Sequence, residues 1–163
     1  MKRREFILTT SILGISTALN SQEIKSDDTL SWLIIDNIFD ILFPKTSTMP
    51  SAKDFNATLY LQMNSKHKSF DKDDLEYIIQ GAVDFNDSFP NFLNANKEQR
   101  ENIIERTRNS EYGESWLTKL VYYGIEAMLS DPIYGGNTNE KGWSSLNHQT
   151  GKPQPKQKYA KVI

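Results

Sequence analysis

The chain has 163 residues, 19 Lys+Arg against 21 Asp+Glu, a formal net charge of −2 and no cysteine. That length suits one domain rather than two, and the charge balance gives no general cationic surface for nucleic acid. Without cysteine there can be no disulfide, thiolate zinc site, cysteine-ligated iron–sulfur cluster, covalent c-type haem or cysteine nucleophile.

Residues 1–18 read as a signal peptide. Lys2, Arg3 and Arg4 precede a mildly apolar run, Phe6 to Leu19. That run is shorter than the about 20 apolar residues that span a bilayer, and it is interrupted by Thr9, Thr10, Ser11, Ser16 and Thr17. Ser16 and Ala18 supply the small residues of a cleavage site after Ala18. The Arg3-Arg4 pair with Phe6 resembles a twin-arginine export signal, which carries folded cargo; an ordinary secretory signal that happens to hold two arginines is the alternative. Either way the mature chain is expected in the periplasm. Losing residues 1–18 removes three cations and Glu5 and leaves a mildly acidic domain.

Five segments then carry helical periodicity, and none shows sustained alternation, which predicts a small all-α domain over 19–130. The first runs from about Asp28 to Phe43, with Leu30, Ile34, Ile38, Ile41 and Leu42 on one face, Asp36 and Asp40 opposite, and Pro44 as the stop. The second is expected over Ala52–Met63, entered through Pro50 and Ser51. The third starts near Asp71 and runs to Phe85, its acidic first turn matching the helix dipole. The fourth, Asn96 to Asn109, opens on a capping-box pattern, Asn96 to Gln99, and is expected to face water mostly. The fifth, Tyr112–Leu129, carries Trp116, Leu117, Leu120, Val121, Gly124, Ile125 and Met128 over more than half its circumference, which marks the main core helix. Residues 131–163 are turn formers with few apolar anchors. They are expected as an extended, irregular tail with no core of its own, either disordered or laid against another protein.

No catalytic apparatus is legible. Asp36 and Asp40 fit a solvated helix edge better than an acid–base pair, and the acidic run Asp71–Glu76 departs from a calcium loop at its turn glycine and terminal carboxylate. His67 and His148 are isolated, and no nucleophile elbow, P-loop or dinucleotide fingerprint occurs. Catalytic, cofactor-binding and metal residues are therefore read as none. The distinctive string is Ser130-Asp131-Pro132-Ile133-Tyr134-Gly135-Gly136-Asn137, with Gly142-Trp143 after it. Pro132 pushes Asp131 out of the helical region and ends the fifth helix. Gly135 and Gly136 permit positive φ for a tight reversal. Tyr134 and Trp143 are large aromatics with polar tips, equally at home in a contact with another protein or folded onto the chain's own core.

That string resembles the signature of the gluconate 2-dehydrogenase small-subunit family (subunit 3, or gamma), and the later Gly151, Pro153, Pro155 and Tyr159 are similar to its proline-rich end. The resemblance implies a non-catalytic small subunit that accompanies a large FAD-dependent flavoprotein of the glucose–methanol–choline oxidoreductase family, often with a multihaem cytochrome c. It also implies that the small subunit helps the large one to fold and to pass the twin-arginine translocase. Asp131, Pro132, Tyr134, Gly135, Gly136, Asn137, Gly142 and Trp143 are then the expected partner-binding residues. Two other readings stay open: a self-sufficient periplasmic enzyme using carboxylates such as Asp36 and Asp40, and an export chaperone that releases its client.

Overall fold

The computed structural model describes residues 24–151 with Pro153 and Lys156, and side chains from residue 29 onward. Arg3, Arg4 and Phe6, and with them the whole export signal, lie outside the described residues. Within them the chain is all helical: α1 (Ile24–Leu42), α2 (Ala57–Asn64), α3 (Lys72–Ser88), α4 (Lys97–Arg108), α5 (Glu111–Leu129) and α6 (Lys141–Ser145). Short 3-10 turns at Phe92–Asn94, Pro132–Tyr134 and Thr138–Glu140 link them. Among the described residues no helix is long and apolar enough to cross a membrane.

Helix α5 is the axis, touching each of the other five. It buries Trp116, Leu117, Leu120, Tyr123, Ala127 and Met128. Around it pack Ile34, Ile35, Ile38 and Phe39 of α1, Ile78, Ala82 and Phe85 of α3, and Ile104 of α4. At the centre the Trp116 ring lies 5.6 Å from Phe85, and its Nε1 donates to the Ile78 carbonyl (3.1 Å), so the one polar atom of the largest core side chain is satisfied.

The helix starts follow local chemistry. Asp71 accepts from the Asp73 amide (2.9 Å), Ser110 from that of Gly113 (3.0 Å), and Asn96 and Gln99 close a full capping box. Helix α4 mostly faces water, as expected, and is held by buried Ile104 and Thr107 and by Arg100, which reaches inward to the Phe92 and Leu93 carbonyls and to Asn37 Oδ1 (3.1, 2.6 and 2.6 Å).

Two expectations change. Helix α2 begins at Ala57 rather than Ala52, because Asn56 takes a left-handed conformation (φ 57°) and an α-helix cannot run through it. The residues before it instead form turns held by Asp54, which accepts from the Ser51 amide (3.1 Å) and hydroxyl (2.9 Å). The second change is larger. Residues 131–148 are not an extended tail but a series of short helical turns packed on α2 and α5, continuous with the helical domain. A few well-placed groups, Asn137 and Trp143 above all, supply the anchoring that low apolar content concealed.

Candidate functional site

The expected partner-binding string folds as a clasp over the C-terminal end of α5. The last carbonyls of a helix lack intrahelical partners, and here side chains from downstream supply them. Trp143 Nε1 donates to the Leu129 carbonyl (2.7 Å) and Asn137 Nδ2 to that of Ser130 (2.9 Å). Asn137 is fully buried, and its Oδ1 accepts from the Gly142 amide (2.8 Å), so one side chain closes both ends of the loop. Asp131 caps the Pro132–Tyr134 turn by accepting from the Ile133 amide (3.0 Å).

The glycines divide their work differently from expectation. Gly135 has the positive φ (92°) that the reversal needs, but Gly136 does not. Gly136 and Gly142 serve close approach instead, since a Cβ on either would collide with the carbonyl oxygen of Ala127 or of Met128. Other left-handed positions of the clasp fall to Asn137, Asn139, Glu140 and Asn147. The clasp is tied to the α2 region by Asn64 Nδ2 on the Tyr134 carbonyl (2.9 Å), Asn56 Nδ2 on Thr138 Oγ1 (2.7 Å) and Lys141 Nζ on Asp54 Oδ1 (2.9 Å). That last bond and those from Ser51 hold the Asp54 carboxyl well below the usual range.

Of the expected residues, Gly136, Asn137, Gly142 and Trp143 are therefore buried in the chain's own structure, and Asp131, Pro132, Tyr134 and Gly135 are half-buried. His148 also joins the clasp, its ring 5.8 Å from that of Trp143. His67 is half-buried in the loop after α2, with Nδ1 2.7 Å from Ser69 Oγ. Asp36 accepts from Thr58 Oγ1 (2.6 Å) and Asp40 pairs with Lys53, so each anchors the α2 region to α1 rather than standing on a free edge. Among the described residues no three His, Asp or Glu side chains are grouped to hold a metal ion.

Beside the clasp lies an open groove of about 600 Å³ between α2, the loop after it and the outer face of α5. Sequence reasoning missed it. Tyr122, Ile125 and Leu129 form its α5 wall and are 58%, 44% and 36% exposed; Phe70 stacks on Tyr123 at 5.3 Å on another side. Tyr60 and Tyr134 close the end next to the clasp. Ile125 had the pattern of a core residue, yet the α5 apolar surface is wider than the core can cover. An apolar arc of more than half a helix was the available signal.

Three carboxylates, Asp71, Glu126 and Asp131, line the groove, and among the described residues no Lys or Arg does. Desolvation raises the Glu126 carboxyl above its usual value, opposed by a hydrogen bond from the Tyr60 hydroxyl. Burial and the neighbouring Glu126 push the Tyr60 phenol up strongly. This is a poor cradle for the pyrophosphate of a dinucleotide cofactor, which calls for cationic groups or a helix N-terminus. Between α3 and α5, burial pushes Asp74 of α3 up, but hydrogen bonds from Tyr123 (2.6 Å) and Lys119 (2.9 Å) of α5 and the Lys119 charge outweigh it, and its carboxyl sits below the usual value.

Comparison with curated proteins and with solved structures gave no match. The family model for gluconate 2-dehydrogenase subunit 3 matches residues 30–151, a span that takes in the helical core, the clasp and the groove together. On that match, the chain belongs to the gluconate 2-dehydrogenase subunit 3 family.

Proposed function

We propose that this chain is a non-catalytic small subunit of a periplasmic sugar or sugar-acid dehydrogenase, with gluconate as the first substrate to try. Its partner is an FAD-dependent large subunit, and a multihaem cytochrome c is the expected electron acceptor in the same assembly. The observation that carries this reading is the family match across residues 30–151. Two features of the site agree with it. The carboxylates that an independent hydrolase would need are engaged in structural pairs, Asp36 with Thr58, Asp40 with Lys53 and Asp74 with Lys119. The groove described above is anionic and open, unsuited to holding FAD within this chain.

In this reading the flavin travels in the large subunit, and the Arg3-Arg4 pair provides the folded-export signal for both. The test is co-expression with the flavoprotein large subunit, in wild-type form and with Arg3→Lys and Arg4→Lys together. Wild type should deliver both proteins to the periplasm as one complex, and the double variant should leave both in the cytoplasm. Export of the large subunit at an unchanged level from the double variant would overturn the export role. Turnover by the purified small chain alone would overturn the non-catalytic assignment.

A further inference from the structure

The exposed large apolar side chains of this protein are unevenly placed. Leu59 and Leu146 stand on separate elements, and Leu30 and Leu33 lie on α1. Tyr122, Ile125 and Leu129 instead stand on one face of α5 and line one groove, with Phe70 and Tyr134 beside them. Contiguous apolar surface rimmed by polar groups is the mark of an interaction site rather than of ordinary surface. The rim here has one sign. Asp71 and Asp131 each give an oxygen to a backbone amide within their own turn, and Glu126 accepts from Tyr60, so all three are held in place; among the described residues no Lys or Arg lines the groove, and Lys119 acts on Asp71 only from outside it.

Charge then discriminates between occupants. A second copy docked face to face through this groove would set three carboxylates against the same three, which like-charge repulsion opposes. A segment offering apolar side chains with Lys or Arg would gain both burial and pairing. We propose that the groove along α5 is the surface that receives the dehydrogenase large subunit, and that it takes a segment combining apolar side chains with lysine or arginine. This rests on the subunit assignment above and adds the surface and the chemistry of what it binds. The clasp contributes Asp131 and Tyr134 to one end of the groove, while its Asn137 and Trp143 turn inward onto the end of α5.

The experiment measures the affinity of the full-length chain for the co-expressed large subunit. The groove variants are Ile125→Glu and Glu126→Lys, with Leu33→Glu and Leu59→Glu as controls at comparably exposed positions elsewhere. The expected result is at least a tenfold loss of affinity for both groove variants, unchanged thermal melting, and controls that bind like wild type. Wild-type binding should also weaken as salt is raised, and this dependence should diminish in Glu126→Lys. Groove variants that bind as tightly as wild type would overturn the proposal and leave the subunit assignment standing. A wild-type chain with no affinity for the large subunit would overturn both. A concentration-dependent dimer abolished by Ile125→Glu, with large-subunit binding intact, would assign the groove to a second copy. Residues 152–163 carry Lys152, Lys156, Lys158 and Lys161 and no acidic residue. If a chain lacking them bound the large subunit equally well with and without Ile125→Glu, the groove would belong to the protein's own basic end and the proposal would fail.

Discussion

The clasp at residues 131–148 and the groove beside it share the C-terminal half of α5, yet they use their aromatic and apolar groups in opposite ways. In the clasp, Trp143 and Asn137 turn inward and finish the helix end. In the groove, Tyr122, Ile125 and Leu129 remain uncovered although they extend the same helix surface. Part of the most conspicuous motif of the sequence, Gly136, Asn137, Gly142 and Trp143, thus serves folding, while Ser130, Asp131 and Tyr134 of the same string line the groove. Residues that build a surface and residues that form it are separate things, and substitutions can tell them apart.

The largest effect on stability should come from the clasp. Trp143→Ala removes a buried indole and uncaps the Leu129 carbonyl, and should cost about 3–5 kcal/mol in urea denaturation, the usual range for truncating a large buried aromatic. A cost below about 1 kcal/mol would mean that the loop is not part of the folded core. Next comes Asn137→Ala, which leaves the Ser130 carbonyl and the Gly142 amide unpaired at about 1–3 kcal/mol for a buried group so orphaned. Asn137→Asp keeps the acceptor for Gly142 and tolerates the left-handed backbone but sets a buried carboxylate oxygen against the Ser130 carbonyl, so at neutral pH it should cost at least as much; a clearly smaller loss would show that the bond from Gly142 dominates.

The smallest effect is a pH signature that separates Asp74 of α3, paired with Lys119 and Tyr123 of α5, from Glu126 in the groove. The Asp74 carboxyl is lowered from 3.8, so it contributes stability above that pH which is lost as pH falls through the folded value. Glu126 is raised from 4.5, so its contribution is full below that pH and is lost as pH rises through the folded value. Asp74→Asn should therefore lower stability at neutral pH and flatten the acid limb of the stability curve. Glu126→Gln should leave the acid limb in place and raise neutral-pH stability slightly. Parallel denaturation series at acidic and neutral pH check both, and identical curves for the two variants would erase the distinction.

The sequence was most informative where structure is decided within a few residues. The caps at Asp71 and Asn96–Gln99, the stop at Pro44 and the end of α5 before Asp131-Pro132 follow from side chains bonding nearby amides or from proline sterics. The apolar arcs of α1, α3 and α5 likewise announced an all-helical core. Reading failed where a residue's state depends on a distant neighbour. Asn56 abandons the helix for a left-handed turn and reaches Thr138, far along the chain. Ser110, a cap in the structure, drew no notice beside a fourth helix that was expected to be mostly solvated.

By itself, then, the order of residues determined the class of fold, most helix boundaries and, through one short string, the family. Only the tertiary structure decided which large apolar groups are covered. Periodicity records that a side chain avoids water but not what supplies the cover, and that depends on how far the neighbouring helices reach around α5. They reach Trp116 and Leu120 and stop short of Tyr122 and Ile125.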